Sequence, residues 1–85
     1  MLIGFCDILD KSKNKVIVKI NNEQLTIKPG DILDILYDPF PDDEHPGAGI
    51  FEKMSFEEFC DNIEEDDGEF EFTDDLIYIY GIAKY

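Results

Sequence analysis

Two short runs, Lys15-Val16-Ile17-Val18-Lys19-Ile20 and Glu23-Gln24-Leu25-Thr26-Ile27-Lys28, flank the pair Asn21-Asn22. Each run alternates apolar with polar residues at the period of a strand. Asparagine tolerates positive φ, so Asn21-Asn22 suits a two-residue turn whose twist matches the strands it joins. That register sets Val16 opposite Ile27 and Val18 opposite Leu25, with Ile20 on the same face. Lys15, Lys19 and Lys28 then point the other way, because a one-residue slip would expose the whole apolar set. The chain is therefore committed to an antiparallel sheet with one buried face.

The remaining elements are placed around this hairpin. Leu2 to Leu9 reads as a first strand, ended by the polar stretch Asp10 to Asn14, and Pro29-Gly30 reads as a turn. Residues 31–37 fit two readings: Asp31 and Asp34 can open a short helix, while Leu33, Ile35 and Tyr37 alternate as in a strand. The prolines and glycines between Asp38 and about Met54 predict a long loop. Ser55 with Glu58 three residues later forms a capping-box pattern. Phe56, Phe59, Cys60 and Ile63 follow at i, i+3, i+4 and i+7, which predicts an amphipathic helix running to about Glu65 and stopping near Gly68. Glu69 to Phe72 and Leu76 to Ile82 alternate as a last pair of strands around Asp74-Asp75. The expectation is one α+β domain over residues 1–85: a small, mainly antiparallel sheet of four to five strands with one amphipathic helix packed on one face, and loop 38–54 inside it.

Charge narrows the function. Residues 1–40 carry five lysines and six acids, a net charge of −1, whereas residues 41–85 carry two lysines and fifteen acids, a net charge of −13. Without arginine and with few clustered lysines, the chain has no footprint for the phosphates of a nucleic acid. An anionic membrane would repel it for the same reason. No apolar run reaches the length needed to span a bilayer, and Met1 to Phe5 lacks the pattern of a secretory signal. Cys6 and Cys60 lie far apart with no CxxC, as expected of reduced, buried thiols in a cytoplasm.

No catalytic set emerges. A Cys–His nucleophile would need Cys6 or Cys60 beside the single His45, yet both cysteines fall on apolar faces and His45 sits in a proline-flanked loop. Carboxylate pairs abound, but a glycosidase also needs a cleft that so short a chain rarely builds. Setting Gly68 on the invariant glycine of an EF-hand puts Ile63 at the first ligand position and Asp74 at the last, and neither fits. Glu64 to Asp67 is left as a non-EF cluster for a divalent metal. Gly47-Ala48-Gly49 lacks the lysine of a phosphate loop. The chain is thus expected not to be an enzyme and to use no cofactor.

The acids are placed against helix stability. On the expected helix Glu57 and Asp61, and Asp61 and Glu65, are like-charge i, i+4 pairs costing about 0.2–0.5 kcal/mol each. Glu64, Glu65, Asp66 and Asp67 would crowd a helix C-terminus that favours cations, at about 0.3–1 kcal/mol each. A compensating benefit is binding, because acids one helical turn apart approach the spacing of phosphates along a strand. In the last hairpin, Glu69, Glu71, Tyr78 and Tyr80 would share an open sheet face, a tyrosine-rich composition typical of interfaces. The candidate partner-binding set is therefore Glu57, Glu58, Asp61, Glu64, Glu65, Asp66, Asp67, Glu69, Glu71, Tyr78 and Tyr80.

In size, acidity and lack of a catalytic set the chain resembles small phage inhibitors of host nucleases, including anti-CRISPR and anti-restriction DNA mimics, and nuclease immunity proteins. The resemblance is one of composition and strategy and carries over no residues. It implies an inhibitor that occupies the basic groove of a nuclease or other nucleic-acid-binding protein, as a monomer or homodimer in a bacterial cytoplasm. The alternatives are a phage or mobile-element assembly protein that self-associates through its sheet, and a divalent-metal-binding domain.

Overall fold

The computed structural model describes residues 1–38, 49–76 and 78–85. Among the described residues, nine strands and one helix follow one another: β1 (Leu2–Ile3), β2 (Cys6–Lys11), β3 (Val16–Ile20), β4 (Glu23–Ile27), β5 (Ile32–Tyr37), β6 (Ile50–Ser55), α1 (Phe56–Asp61), β7 (Ile63–Asp66), β8 (Glu69–Phe72) and β9 (Ile79–Lys84). They form three sheets: a four-stranded one in the order β1-β9-β5-β6, a three-stranded one, β2-β3-β4, and a two-stranded ribbon, β7-β8. Every pairing is antiparallel.

The Asn-Asn hairpin forms in the expected register, Val16 against Ile27 and Val18 against Leu25. Asn21 and Asn22 both take positive φ, 51° and 65°, as a type I′ turn requires. Val16, Val18, Ile20 and Ile27 are fully buried, and Lys15, Lys19 and Lys28 are exposed. At Pro29-Gly30, the Asp31 amide donates to the Lys28 carbonyl at 3.0 Å and Gly30 sits at φ 93°. Proline followed by a positive-φ glycine is the type II pattern.

The expected α+β architecture is corrected in several places. The fold is predominantly β, with separate sheets instead of one sheet under a helix. The first strand breaks at Gly4, whose φ of 147° turns the chain from the β9 edge (β1) to the β3 edge (β2). Residues 31–37 resolve as strand, pairing with β6 on one side and β9 on the other. Ile50–Ser55, expected as loop, is an edge strand; residues 39–48, with His45 and most of the prolines and glycines of that stretch, lie outside the described residues. The last strand pairs with β5 and β1 and not with β8.

The largest correction is the helix. Its start is as expected, since the Ser55 hydroxyl accepts from the Glu58 amide at 3.2 Å. It ends after Asp61, four residues early. Asn62 stops it: its side-chain amide donates to the Glu58 carbonyl at 2.9 Å, and its side-chain oxygen accepts from the Thr73 hydroxyl at 3.1 Å. Beyond it Asp67 (φ 50°) and Gly68 (φ 81°) form a second type I′ turn, which needs strands on both sides. Drawing Glu64 to Asp66 into a strand also removes them from a helix C-terminus that would have repelled them.

The buried faces meet in one core cluster. The hairpin contributes Val16, Val18, Ile20 and Ile27; the four-stranded sheet contributes Leu33, Ile35, Met54, Ile79 and Ile82; Cys6, Phe56, Phe59, Ile63 and Leu76 complete it. Phe59 anchors the ribbon by an edge-to-face contact with Phe72, centroids 5.9 Å apart. Such pairs contribute about 0.5–1.5 kcal/mol beyond area burial.

Candidate functional site

The ribbon gives the acids their geometry. Its register sets Glu64 opposite Glu71, Glu65 opposite Phe70, and Asp66 opposite Glu69. Alternate residues of a strand point to opposite faces. Ile63, Glu65, Phe70 and Phe72 therefore share the face nearer the core, while Glu64, Asp66, Glu69 and Glu71 share the outer one. All four outer carboxylates are exposed, and among the described residues none pairs with a lysine; the ion pair seen, Lys84 to Asp31 at 3.7 Å, lies elsewhere. Directly opposed residues stand about 4.5–5.5 Å apart and successive same-face residues about 6.6 Å apart. The result is a two-by-two array of carboxylates, extended at the turn by Asp67.

The structure disperses the rest of the expected set. Glu57, Asp61 and Glu65 line a second groove, of about 470 Å³, together with Lys11, Lys13, Phe56, Cys60 and Phe70. The lysines there offset part of the negative charge, and the Lys11 ammonium also donates to the Ile63 carbonyl at 3.4 Å. Burial raises the Cys60 thiol pKa, the nearby Lys11 opposes that rise, and Asp61 and Glu57 add to it. Glu58 opens instead onto a cleft of about 470 Å³ that it shares with Tyr37, Glu52, Asp74 and Asp75. Tyr37 donates to Glu52 at 3.1 Å. Its phenol pKa is raised by burial first, then by that hydrogen bond and the charges of Glu52 and Asp75.

Tyr78 and Tyr80 do not join Glu69 and Glu71 on one sheet face. The register shift between Leu36 and Tyr37 leaves Tyr80 as the extra residue of a bulge in β9, which lets both Ile79 and Ile82 turn inward. Tyr80 is half-buried, with its hydroxyl against Gly49, where a Cβ would collide with it. Tyr78 is exposed in the turn before β9.

Sequence reasoning missed the acid cleft formed by Glu52, Asp74 and Asp75, because those residues come from separate elements. It also missed the ribbon, although the Asp67-Gly68 dipeptide between alternating residues is a strong hairpin signal. Among the described residues no group of three or more His, Cys, Asp and Glu side chains converges as a metal ion would require. No helix among them is long and apolar enough to cross a membrane. No protein-family profile, no curated protein and no solved structure matches the chain.

Proposed function

We propose that this is a non-enzymatic binding protein that presents the outer face of the β7–β8 ribbon to the basic groove of a nucleic-acid-binding protein, such as a nuclease, and so keeps nucleic acid out. The observation that supports it is the array Glu64, Asp66, Glu69 and Glu71: two like-charge pairs set directly opposite each other on one exposed face. Like charges opposed across a ladder destabilise it, so the arrangement costs fold stability and serves an external cation. Alternate carboxylates along a strand repeat at a spacing comparable with successive phosphates, and the open ribbon can enter a groove that accepts a nucleic-acid strand. Long-range attraction would steer the encounter and weaken with salt. The same reading places the protein in a bacterial cytoplasm, or in the host cytoplasm if phage-encoded.

The test is to replace Glu64, Asp66, Glu69 and Glu71 together by lysine and to measure capture of partners from host lysate at low and moderate salt. Binding to basic nucleic-acid-binding proteins should be lost while the melting temperature holds or rises. Capture of the same partners at undiminished strength by the charge-reversed protein would sink the reading.

A further inference from the structure

The outer face of the four-stranded sheet is unlike the rest of this acidic surface. Ile3 lies opposite Gly81, Gly81 opposite Leu36, and Leu36 opposite Phe51, so one apolar row crosses all four strands. Gly81 leaves a trough there that the Met1 sulfur and the Ile3 side chain fill, and a Cβ would approach both to about 3 Å. Phe51 is 67% exposed at the open edge and Tyr85, on the same face, 68%. An exposed apolar edge strand is a pairing hazard that proteins normally blunt with charge. Here the charged side chains of the face neutralise each other's effect. Asp34 lies opposite Lys53, the Tyr85 hydroxyl donates to Asp34, and the Lys53 ammonium sits 4.6 Å from the centre of the Tyr85 ring.

We propose that this face is a self-association surface whose occupant is the same face of a second copy. Among the described residues, a basic partner would find Asp34 already hydrogen-bonded, and an acidic partner would find Lys53 already engaged by a ring. The surface it fits is apolar and electrically neutral, and this face is one; a twofold axis makes such a surface self-complementary. A twofold also allows Lys53 of one copy to approach Asp34 of the other. Two strongly anionic copies repel wherever their acidic surfaces meet, so the neutral face is where they can approach. Exposed aromatic rings and aliphatic side chains offer on the order of 500 Å² per copy, so a pair buries on the order of 1,000 Å², enough for a specific if modest interface. This pairing leaves the β7–β8 ribbon free, and its salt dependence has the opposite sign to that of ribbon binding, because salt screens repulsion between copies.

Sedimentation equilibrium of the full chain from micromolar to millimolar concentration, at low and high salt, tests it. The expected result is a monomer–dimer equilibrium that tightens with salt. Phe51→Asp should raise the dissociation constant on the order of thirtyfold or more for each of the two aromatic anchors that a twofold dimer loses. Tyr85→Ser, at a side chain 68% exposed in the single copy, should weaken the dimer in the same direction. Phe5→Ser, at an 82% exposed residue outside the face, should leave it unchanged. A monomer at every concentration in high salt overturns the proposal, as does a dimer that neither Phe51→Asp nor Tyr85→Ser weakens.

Discussion

Two hairpins in this molecule use the same turn for opposite ends. The β3–β4 hairpin closes on Asn21-Asn22 and the β7–β8 ribbon on Asp67-Gly68, both with two successive positive φ values. In the first, Val16, Val18, Ile20 and Ile27 are fully buried on one face, and Lys19 points the other way from an exposed position; β2 also pairs along its flank. In the second, Phe70 and Phe72 are only half-buried, the outer face is four carboxylates, and among the described residues no third strand pairs with either edge. An isolated two-stranded hairpin is marginal in water. The ribbon is held by the Phe59–Phe72 contact and the Asn62–Thr73 hydrogen bonds at its base. One hairpin builds much of the core; the other joins it through Ile63, packs Phe70 and Phe72 against it, and displays its acids on the far side.

The comparison breaks most visibly under truncation. Ile27→Ala removes a fully buried side chain and should cost about 2–5 kcal/mol, the range for large-to-small changes in a packed core. Phe70→Ala, on the half-buried face of the ribbon, should cost about 1 kcal/mol, in proportion to its smaller burial. Chemical denaturation of both variants checks the order; equal losses would mean that the ribbon is as integral to the core as the first hairpin.

Alkaline pH separates the regions next. Cys6 lies opposite Ile20 at the flank of the first hairpin. Burial, aided by the adjacent Asp7 carboxylate, pushes its thiol from 9.0 up to about 12. Between those values the unfolded chain has lost the proton and the folded chain still holds it. The folded state then binds more protons, so stability falls as pH rises through that window, by at most about 1.4 kcal/mol per unit. The difference in slope between the wild type and Cys6→Ala isolates this thiol from the lysines and tyrosines that titrate nearby. Parallel slopes would show that the thiol ionises freely in the fold.

The contrast also explains how far the sequence could be read. The first hairpin was legible down to its register because short-range alternation and turn chemistry agree, and burial of one face leaves no other solution. The Ser55 cap was legible for the same local reason. The ribbon was not, because two local signals competed over Phe56 to Gly68. Helical spacing of Phe56, Phe59, Cys60 and Ile63 favoured one long helix, whereas Asp67-Gly68 favoured a turn. The costs of acids at a helix C-terminus, visible in the sequence, decide for the turn. Ile63 is buried as the helical pattern requires, but it gets there from the first position of a strand. The apolar row through Ile3, Gly81, Leu36 and Phe51 was beyond local reading, since it joins four strands distant in the chain.

The two turns should respond alike to loss of their positive-φ residues. Gly68 has open space around its Cα, so Gly68→Ala meets no clash and is strained by φ alone. That strain is about 1–2 kcal/mol, partly offset by the reduced freedom of the unfolded chain, for a net loss of about 1 kcal/mol. Asn22→Ala should cost a similar amount. Hydrogen exchange distinguishes them: Gly68→Ala should speed exchange in β7 and β8 alone, whereas Asn22→Ala should loosen the first hairpin and with it the core.

The smallest effect has the most informative sign. Glu71→Lys converts the Glu64–Glu71 pair from like to opposite charges and should stabilise the protein by about 0.2–1 kcal/mol, the worth of a cross-strand pair. Because these side chains are exposed, high salt should shrink the gain. Changing Glu64 to lysine as well restores a like-charge pair, so the double variant should lose what the single one gains, and the cycle isolates the coupling. In the first hairpin, Lys19 lies between the neutral Gln24 on β4 and the carboxylate of Asp7 on β2, so Lys19→Glu turns an opposite-charge pair into a like-charge one and should destabilise the protein by about 0.2–1 kcal/mol. A ribbon maintained for the fold's own sake would prefer the Glu71→Lys arrangement. If the substitution firms the protein while weakening its hold on a basic partner, the acids are retained for that partner and not for stability. If it destabilises the protein, the opposed carboxylates carry no cost to the fold, and the argument from their placement fails.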